Sequence, residues 1–170
     1  DSLMGLARLR GGIDTSLRSS FDPLPIIHDF LALAHGAIGQ RRLSIDTDFP
    51  TTIQPLVSDP GLFKIIITNL IENAIRHSPP SSMVTMRVQQ QGSVFRFSTR
   101  NSCENLRSED ITRLFEPFQR GSKAADNEGG HAGLGLSLAR EAATLMGGNL
   151  RAELSDPNHI TFIAEIPSAT

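Results

Sequence analysis

The chain has 170 residues, 39% of them hydrophobic and 20% charged, with a net charge of −2. This is the length and composition of one compact domain with a real core, and the near-balanced charge gives no footprint for nucleic acid or a membrane surface. The one cysteine, Cys103, excludes an intrachain disulfide, so a reducing, cytoplasmic setting is expected.

No apolar run approaches the roughly 20 residues a membrane helix needs, and no signal peptide opens the chain. It begins at Asp1 without a methionine and reads as a fragment, with any membrane segment or sensor expected upstream. Leu3, Leu6 and Leu9 followed by Gly11-Gly12 look like the last turns of an amphipathic helix. The polar stretch 13–22 reads as a linker or edge strand. Asp22-Pro23 then opens a helical pattern in which Leu24, Ile27, Leu31, Ala34 and Ile38 share a face. Arg42 to Asp48 and Ile53 to Val57 read as strands.

Asp59 caps a long helix with Pro60 at its first position, apolar at Leu62, Ile65, Ile66, Leu70, Ile71, Ala74 and Ile75, and stopped by Ser78-Pro79-Pro80. Met83 to Gln89 and Val94 to Thr99 are expected as strands joined at Gln91-Gly92. Residues 101–132 form a long polar, glycine-bearing loop of the kind that is usually functional, with one helical piece at Asp110 to Phe115. Gly133 to Met146 predicts a helix ended by Gly147-Gly148, and Leu150 to Leu154 with Ile160 to Ile166 a final hairpin. The expected fold is α+β: one mixed, mainly antiparallel sheet with helices packed on one face, an α/β sandwich.

Two features carry chemistry. Asn69, Asn73 and His77 are spaced by four on the Asp59 helix, with Arg76 beside them, amid strongly apolar flanks. Covered amides need partners, and a nucleotide with Mg²⁺ would provide them: the metal takes oxygen ligands and retains water and phosphate, so one asparagine carbonyl can suffice, while Arg76 can neutralise phosphate. The bland alternative is that both amides bond to neighbouring backbone. The second feature is Gly129-Gly130-His131-Ala132-Gly133-Leu134-Gly135-Leu136, where glycines and a helix start let backbone N–H groups approach an anion. A polar loop rather than a strand precedes it, against a dinucleotide fingerprint, and no G-x-x-x-x-G-K-[ST] occurs. A flexible hinge with a capped helix is the alternative there.

Together these segments resemble the catalytic domain of sensor histidine kinases, within the gyrase, Hsp90, histidine kinase and MutL (GHKL) ATPase superfamily and its Bergerat ATP-binding fold. Asn69 to Pro79 resembles the N box, Asn101 to Leu106 lies where the G1 box (D-x-G-x-G) belongs, Leu114 to Arg120 resembles the F box, and Gly130 to Leu136 the G2 box. The resemblance implies a remnant of a second dimerisation helix over 1–12, a linker over 13–22, and an ATP-binding domain over 23–167 with a lid at about 101–132.

It also implies roles. Asn73 would coordinate Mg²⁺, Asn69 would hold the metal's water shell or a phosphate, Arg76 would meet phosphate and His77 the nucleoside. Asn101 would accept from the adenine amino group, with Cys103 and Asn105 beside it. Phe115 and Phe118 would anchor the loop over ATP, and Arg120 or Lys123 would reach phosphates. Gly130, His131, Ala132, Gly133, Leu134 and Gly135 would form the lid's close approach. The G1 box departs from the pattern: Asn101 stands for aspartate, and Cys103 and Asn105 for both glycines, which is expected to weaken or alter adenine binding.

The implied activity is transfer of the ATP γ-phosphate to a histidine on an upstream dimerisation domain, with a response regulator receiver domain as partner, a homodimer at full length, no nucleic acid, and membrane attachment only through upstream segments. His28-Asp29 lacks the proline that follows the family's phosphoacceptor, so the acceptor is expected outside this chain. A gyrase- or MutL-type ATPase would have a glutamate base at Asn69. An anti-sigma serine kinase would lack residues 1–12. A regulatory binding module with a degenerate pocket and little or no kinase activity is the other open reading.

Overall fold

A computed structural model of the chain describes residues 17–103, 106–117 and 134–168. Strands β1 (Ser19–Phe21), β2 (Ser44–Asp48), β3 (Leu56–Ser58), β4 (Met83–Gln91), β5 (Val94–Ser102), β6 (Asn149–Asp156) and β7 (His159–Pro167) alternate with helices α1 (Pro23–Leu33), α2 (His35–Gln40), α3 (Pro60–His77) and α4 (Gly135–Leu145). Five strands form one mixed sheet in the order β2-β4-β5-β7-β6, parallel only between β2 and β4. The expected α+β sandwich is thus present.

The helix starts follow their caps. Asp59 accepts from the N–H groups of Gly61 and Leu62 at 2.7 and 3.2 Å, with Pro60 in the first turn, and Asp22 accepts from Leu24 N–H at 2.9 Å ahead of Pro23. Gly147, at φ 76°, takes the left-handed conformation that closes α4. The core lies between the helices and the inner sheet face. Fully buried Phe63 of α3 meets Phe95 of β5 edge-on at 5.4 Å and Phe21 of β1 at 5.3 Å. Ala139, Ala142 and Ala143 of α4 are fully buried, and such small residues let helices approach closely.

Several boundaries differ from the sequence expectation. The single pattern from Leu24 to Ile38 is two helices broken at Ala34, because Gly36 and Gly39 make the second half a poor helix. The strand expected over Ile53 to Val57 shrinks to Leu56–Ser58, confined between Pro55 and Pro60, and leaves the main sheet to pair antiparallel with β1. Ser19–Phe21, within the stretch read as linker or edge strand, is therefore an edge strand. The piece at Asp110 to Phe115 is two 3₁₀ turns, Ser108–Asp110 and Thr112–Phe115, the first closed by the Asp110 carboxylate accepting from Arg107 N–H at 3.2 Å. The last helix begins at Gly135 rather than Gly133, and Leu134 and Leu136 are only half-buried, leaving Leu138 as its buried leucine anchor.

The outer sheet face is polar. Arg96 and Arg151 both pair with Glu165, and Arg100 bonds Asp156 at 3.1 Å beside His159. Desolvation pushes the Glu165 carboxyl upward, but the Arg96 hydrogen bond and the charges of Arg151 and Arg96 hold it below its ordinary value. The hydrogen bond from His159, supported by Asn158 N–H, lowers Asp156 likewise.

Candidate functional site

The polar stripe on α3 sits at the edge of a buried apolar face made by Leu62, Phe63, Ile66, Ile67, Leu70, Ile71, Ala74 and Ile75. Asn69 and Asn73 are half-buried, while Arg76 and His77 are exposed. Asn69 donates from Nδ2 to the carbonyl of Ile65 at 2.7 Å, so half of its amide is absorbed by its own helix. Its Oδ1 faces the start of α4, where a Cβ at Gly135 would stand 2.6 Å away. The absence of a side chain at Gly135 thus makes room for Asn69, in addition to any role in approaching an anion. Asn73 makes no side-chain hydrogen bond to another described residue.

Below α3, β5 turns Phe95, Phe97, Thr99 and Asn101 inward. Asn101 is 2% exposed; its Nδ2 donates to the Ser102 carbonyl at 3.0 Å, and its buried Oδ1 has no partner among the described residues. Thr99 is fully buried, and its Oγ1 likewise has no partner among the described residues. Sequence reasoning missed Thr99, although its parity with Phe95 and Phe97 marks it as inward. Cys103 is half-buried, and its N–H donates to the Asn158 carbonyl at 2.8 Å, stitching the end of β5 to the β6–β7 turn. Burial, with the charge of Asp156, pushes its thiol above the ordinary range, so it is protonated near neutral pH.

The far end of α3 is held by Ser78, whose Oγ donates to the Ala74 carbonyl at 2.5 Å, and by Arg41, whose Nη2 donates to the Ser78 carbonyl at 2.6 Å. Arg41 was invisible as a site neighbour because it lies 37 positions from Ser78 in the chain. Desolvation, then the charges of Arg76 and Arg41, lower the His77 pKa below its ordinary 6.5. Its ring is neutral near pH 7, an acceptor and donor rather than a cation.

Phe115 is buried edge-on against Phe162 of β7 at 6.2 Å, and the Arg140 guanidinium of α4 lies over its ring at 5.1 Å. Leu134 caps α4 and accepts from Ser137 Oγ at 2.8 Å. Asn105, Phe118, Arg120, Lys123, Gly130, His131, Ala132 and Gly133 lie outside the described residues. Among the described residues no cluster of three His, Cys, Asp or Glu could hold a metal. The carboxamide of Asn73 offers a hard oxygen, which suits a cation arriving with its own phosphate ligands. A cavity of about 480 Å³ between the start of α1 and the Thr47–Thr51 segment touches none of these residues.

The sequence profile of the histidine kinase-, DNA gyrase B- and HSP90-like ATPases matches residues 58–170, more than half of the chain. The chain belongs to that family. Within it, the likeness runs to ATP-binding catalytic domains of sensor histidine kinases. The sensor-like histidine kinase SenX3 of Mycobacterium bovis is 27% identical over 98% of this chain and 40% of its own length. The sensor protein VanS of Enterococcus faecium is 30% identical over 65% of this chain and 28% of its own. Full-length ShkA, solved with AMPPNP, superposes with a TM-score of 0.82 at 20% identity, covering 99% of this chain and 35% of that one. The catalytic domain of ThkA superposes at 0.77 and 21% identity over 90% of this chain and 99% of that domain. This chain therefore spans about 40% of the length of SenX3. No helix among the described residues is long and apolar enough to cross a membrane.

Proposed function

We propose that this chain binds ATP with Mg²⁺ between α3 and the segment leading into α4, as the catalytic domain of a protein histidine kinase. The observation that carries the reading is the buried Oδ1 of Asn101 on the inner face of β5, which no described residue donates to. A buried acceptor without a partner costs free energy, and the amino group of adenine is a donor that would satisfy it. Asn73 would hold Mg²⁺ through its oxygen, Asn69 a water or phosphate oxygen, Arg76 the phosphates and His77 the nucleoside. Bound there, the metal would neutralise phosphate charge. Arg76, exposed at the end of α3, would add its own positive charge to the same task. Phe115, wedged between Phe162 and Arg140, would anchor the loop that carries Phe118, Arg120 and Lys123.

In the whole protein, a histidine of a dimerisation domain would attack the γ-phosphorus. A phosphorus–nitrogen bond would form as the bond to the β–γ bridging oxygen breaks, and ADP would leave. Residues 1–12 would be the end of that domain's second helix, and the assembly a homodimer in the cytoplasm, attached to any membrane only through upstream segments. A response regulator receiver domain would take the phosphoryl group; a ThkA structure in complex with the response regulator TrrA supports a partner of that kind.

Titration of the chain with a non-hydrolysable ATP analogue, with and without Mg²⁺, tests the reading. Asn73→Ala is expected to weaken Mg²⁺-dependent binding by about tenfold or more, the size of one lost charge-assisted contact. Equal affinity in the variant, or no effect of Mg²⁺ on the wild type, would remove the pocket assignment.

A further inference from the structure

The inner face of β5 carries a second polar group that no other described residue satisfies. Thr99 is 0% exposed, and its Oγ1 meets no partner one pleat before the equally orphaned Oδ1 of Asn101. Their cross-strand neighbours are Met86 and Phe162 for Thr99, Val84 and Ile160 for Asn101. Val84, Phe162 and Ile160 have no side-chain donor or acceptor, and the Met86 thioether, a weak acceptor at most, makes no hydrogen bond to Thr99. A valine would fill the Thr99 position without leaving a buried hydroxyl unpaired, so a threonine there calls for a partner beyond the described residues, and a bound ligand is one that can supply it.

We propose that Thr99 is a base-reading residue that acts with Asn101 as a neutral pair on the hydrogen-bonding edge of a purine. This rests on the reading of the site as a nucleotide pocket, and adds to it a residue and a base selectivity. The chemistry of the pair sets that selectivity. A hydroxyl both donates and accepts, and rotates to suit. A carboxamide offers an oxygen on one side and an N–H on the other, whereas a carboxylate at position 101 could only accept. The pair can therefore meet a 6-amino purine with the Asn101 oxygen, or a 6-oxo purine with its N–H once the amide turns over and releases Ser102. Thr99 reaches the neighbouring ring position directly or through one ordered water. The pocket thus takes 6-amino and 6-oxo purine nucleotides with weak discrimination.

The test uses the 170-residue chain with Mg²⁺, ATP and ITP as probes, and thermal melting of each nucleotide-free variant. Thr99→Val is expected to weaken ATP binding about fivefold, the value of one neutral hydrogen bond, and to melt no lower than the wild type because an unpaired buried hydroxyl has gone. Thr99→Ser, which keeps the hydroxyl, is expected to bind ATP within about twofold of wild type. Wild type is expected to prefer ATP over ITP by less than about tenfold, and Asn101→Asp to widen that preference by about tenfold more.

Thr99→Val binding ATP as tightly as wild type overturns the proposal while leaving the nucleotide reading standing. So does a melting loss in Thr99→Val that Thr99→Ser restores without any change in affinity, since Thr99 would then be structural. Wild type binding neither nucleotide overturns the pocket reading and this proposal with it.

Discussion

The carboxamide oxygen of Asn69 occupies the space that a side chain at Gly135 would need: a Cβ built there stands 2.6 Å from it. Asn69 is held by its bond to the Ile65 carbonyl, so it can yield only by giving that bond up. Gly135→Ala is therefore expected to lower stability by about 1 kcal/mol, the clash and lost hydrogen bond outweighing the gain in helix propensity. In an Asn69→Ala background the same substitution is expected to change sign and stabilise by a few tenths to about 1 kcal/mol. Denaturant unfolding of the four proteins measures the coupling, and additivity between the two positions would disprove the contact.

The orphaned Oδ1 of Asn101 leads to a trade-off between stability and affinity. Asn101→Asp places a carboxylate in a site that is 2% exposed and, without nucleotide, has no donor for it among the described residues. The nucleotide-free variant is expected to melt several degrees lower, since burying an unpaired charge costs more than burying an amide. Adenine nucleotide affinity is expected to rise about tenfold, because a hydrogen bond to a charged acceptor is roughly twice as strong. Paired melting and calorimetric titration would show the two quantities moving in opposite directions; a variant that loses both would mean that position 101 does not face the base.

Much of this was legible in the sequence because caps and parity are local. Asp59-Pro60 and Asp22-Pro23 announce their helices without reference to anything distant, and the spacing of Asn69 and Asn73 puts both at one edge of a buried face. What escaped notice depends on pairing across the fold. The break at Ala34 follows weak helix formers within an apolar pattern that continues across it. The separate β1–β3 ribbon depends on partners 39 positions apart, such as Ser19 and Ser58. Gly135 read only as an anion-binding turn because its contact with Asn69 exists only when α3 and α4 are packed. Thr99 was passed over because a threonine suits any strand; its meaning comes from two apolar cross-strand neighbours, Met86 and Phe162, that no local window contains.

That β1 belongs to the folded domain can be tested through Phe63, which touches Phe21 at 5.3 Å and Phe95 at 5.4 Å while fully buried. Phe63→Ala is expected to cost about 3–5 kcal/mol, a large share of the stability of a domain this size. Phe21→Ala, on a half-buried strand, is expected to cost about 1–2 kcal/mol through lost burial. The double variant should fall short of the sum by about 0.5–1.5 kcal/mol, the size of an aromatic pair. Strict additivity in urea unfolding would detach β1 from this core.

His77 gives the fold a pH dependence of defined sign. Its pKa is lowered from 6.5 by desolvation, Arg76 and Arg41, so as pH falls below about 6.5 the unfolded chain takes up a proton more readily than the native one. Stability contributed by the neutral ring is present above that value and is lost as pH falls toward the lowered folded pKa. Asp156 and Glu165, lowered from 3.8 and 4.5, lose their contributions only at more acid pH, so the two windows separate. His77→Gln is expected to melt less pH-dependently than wild type between about pH 7 and 5. The difference should be no more than about 2 °C, because the ring is exposed and its charge screened. Wild type and variant with parallel melting curves over that range would mean that neither the burial of His77 nor the charges of Arg76 and Arg41 bears on its titration.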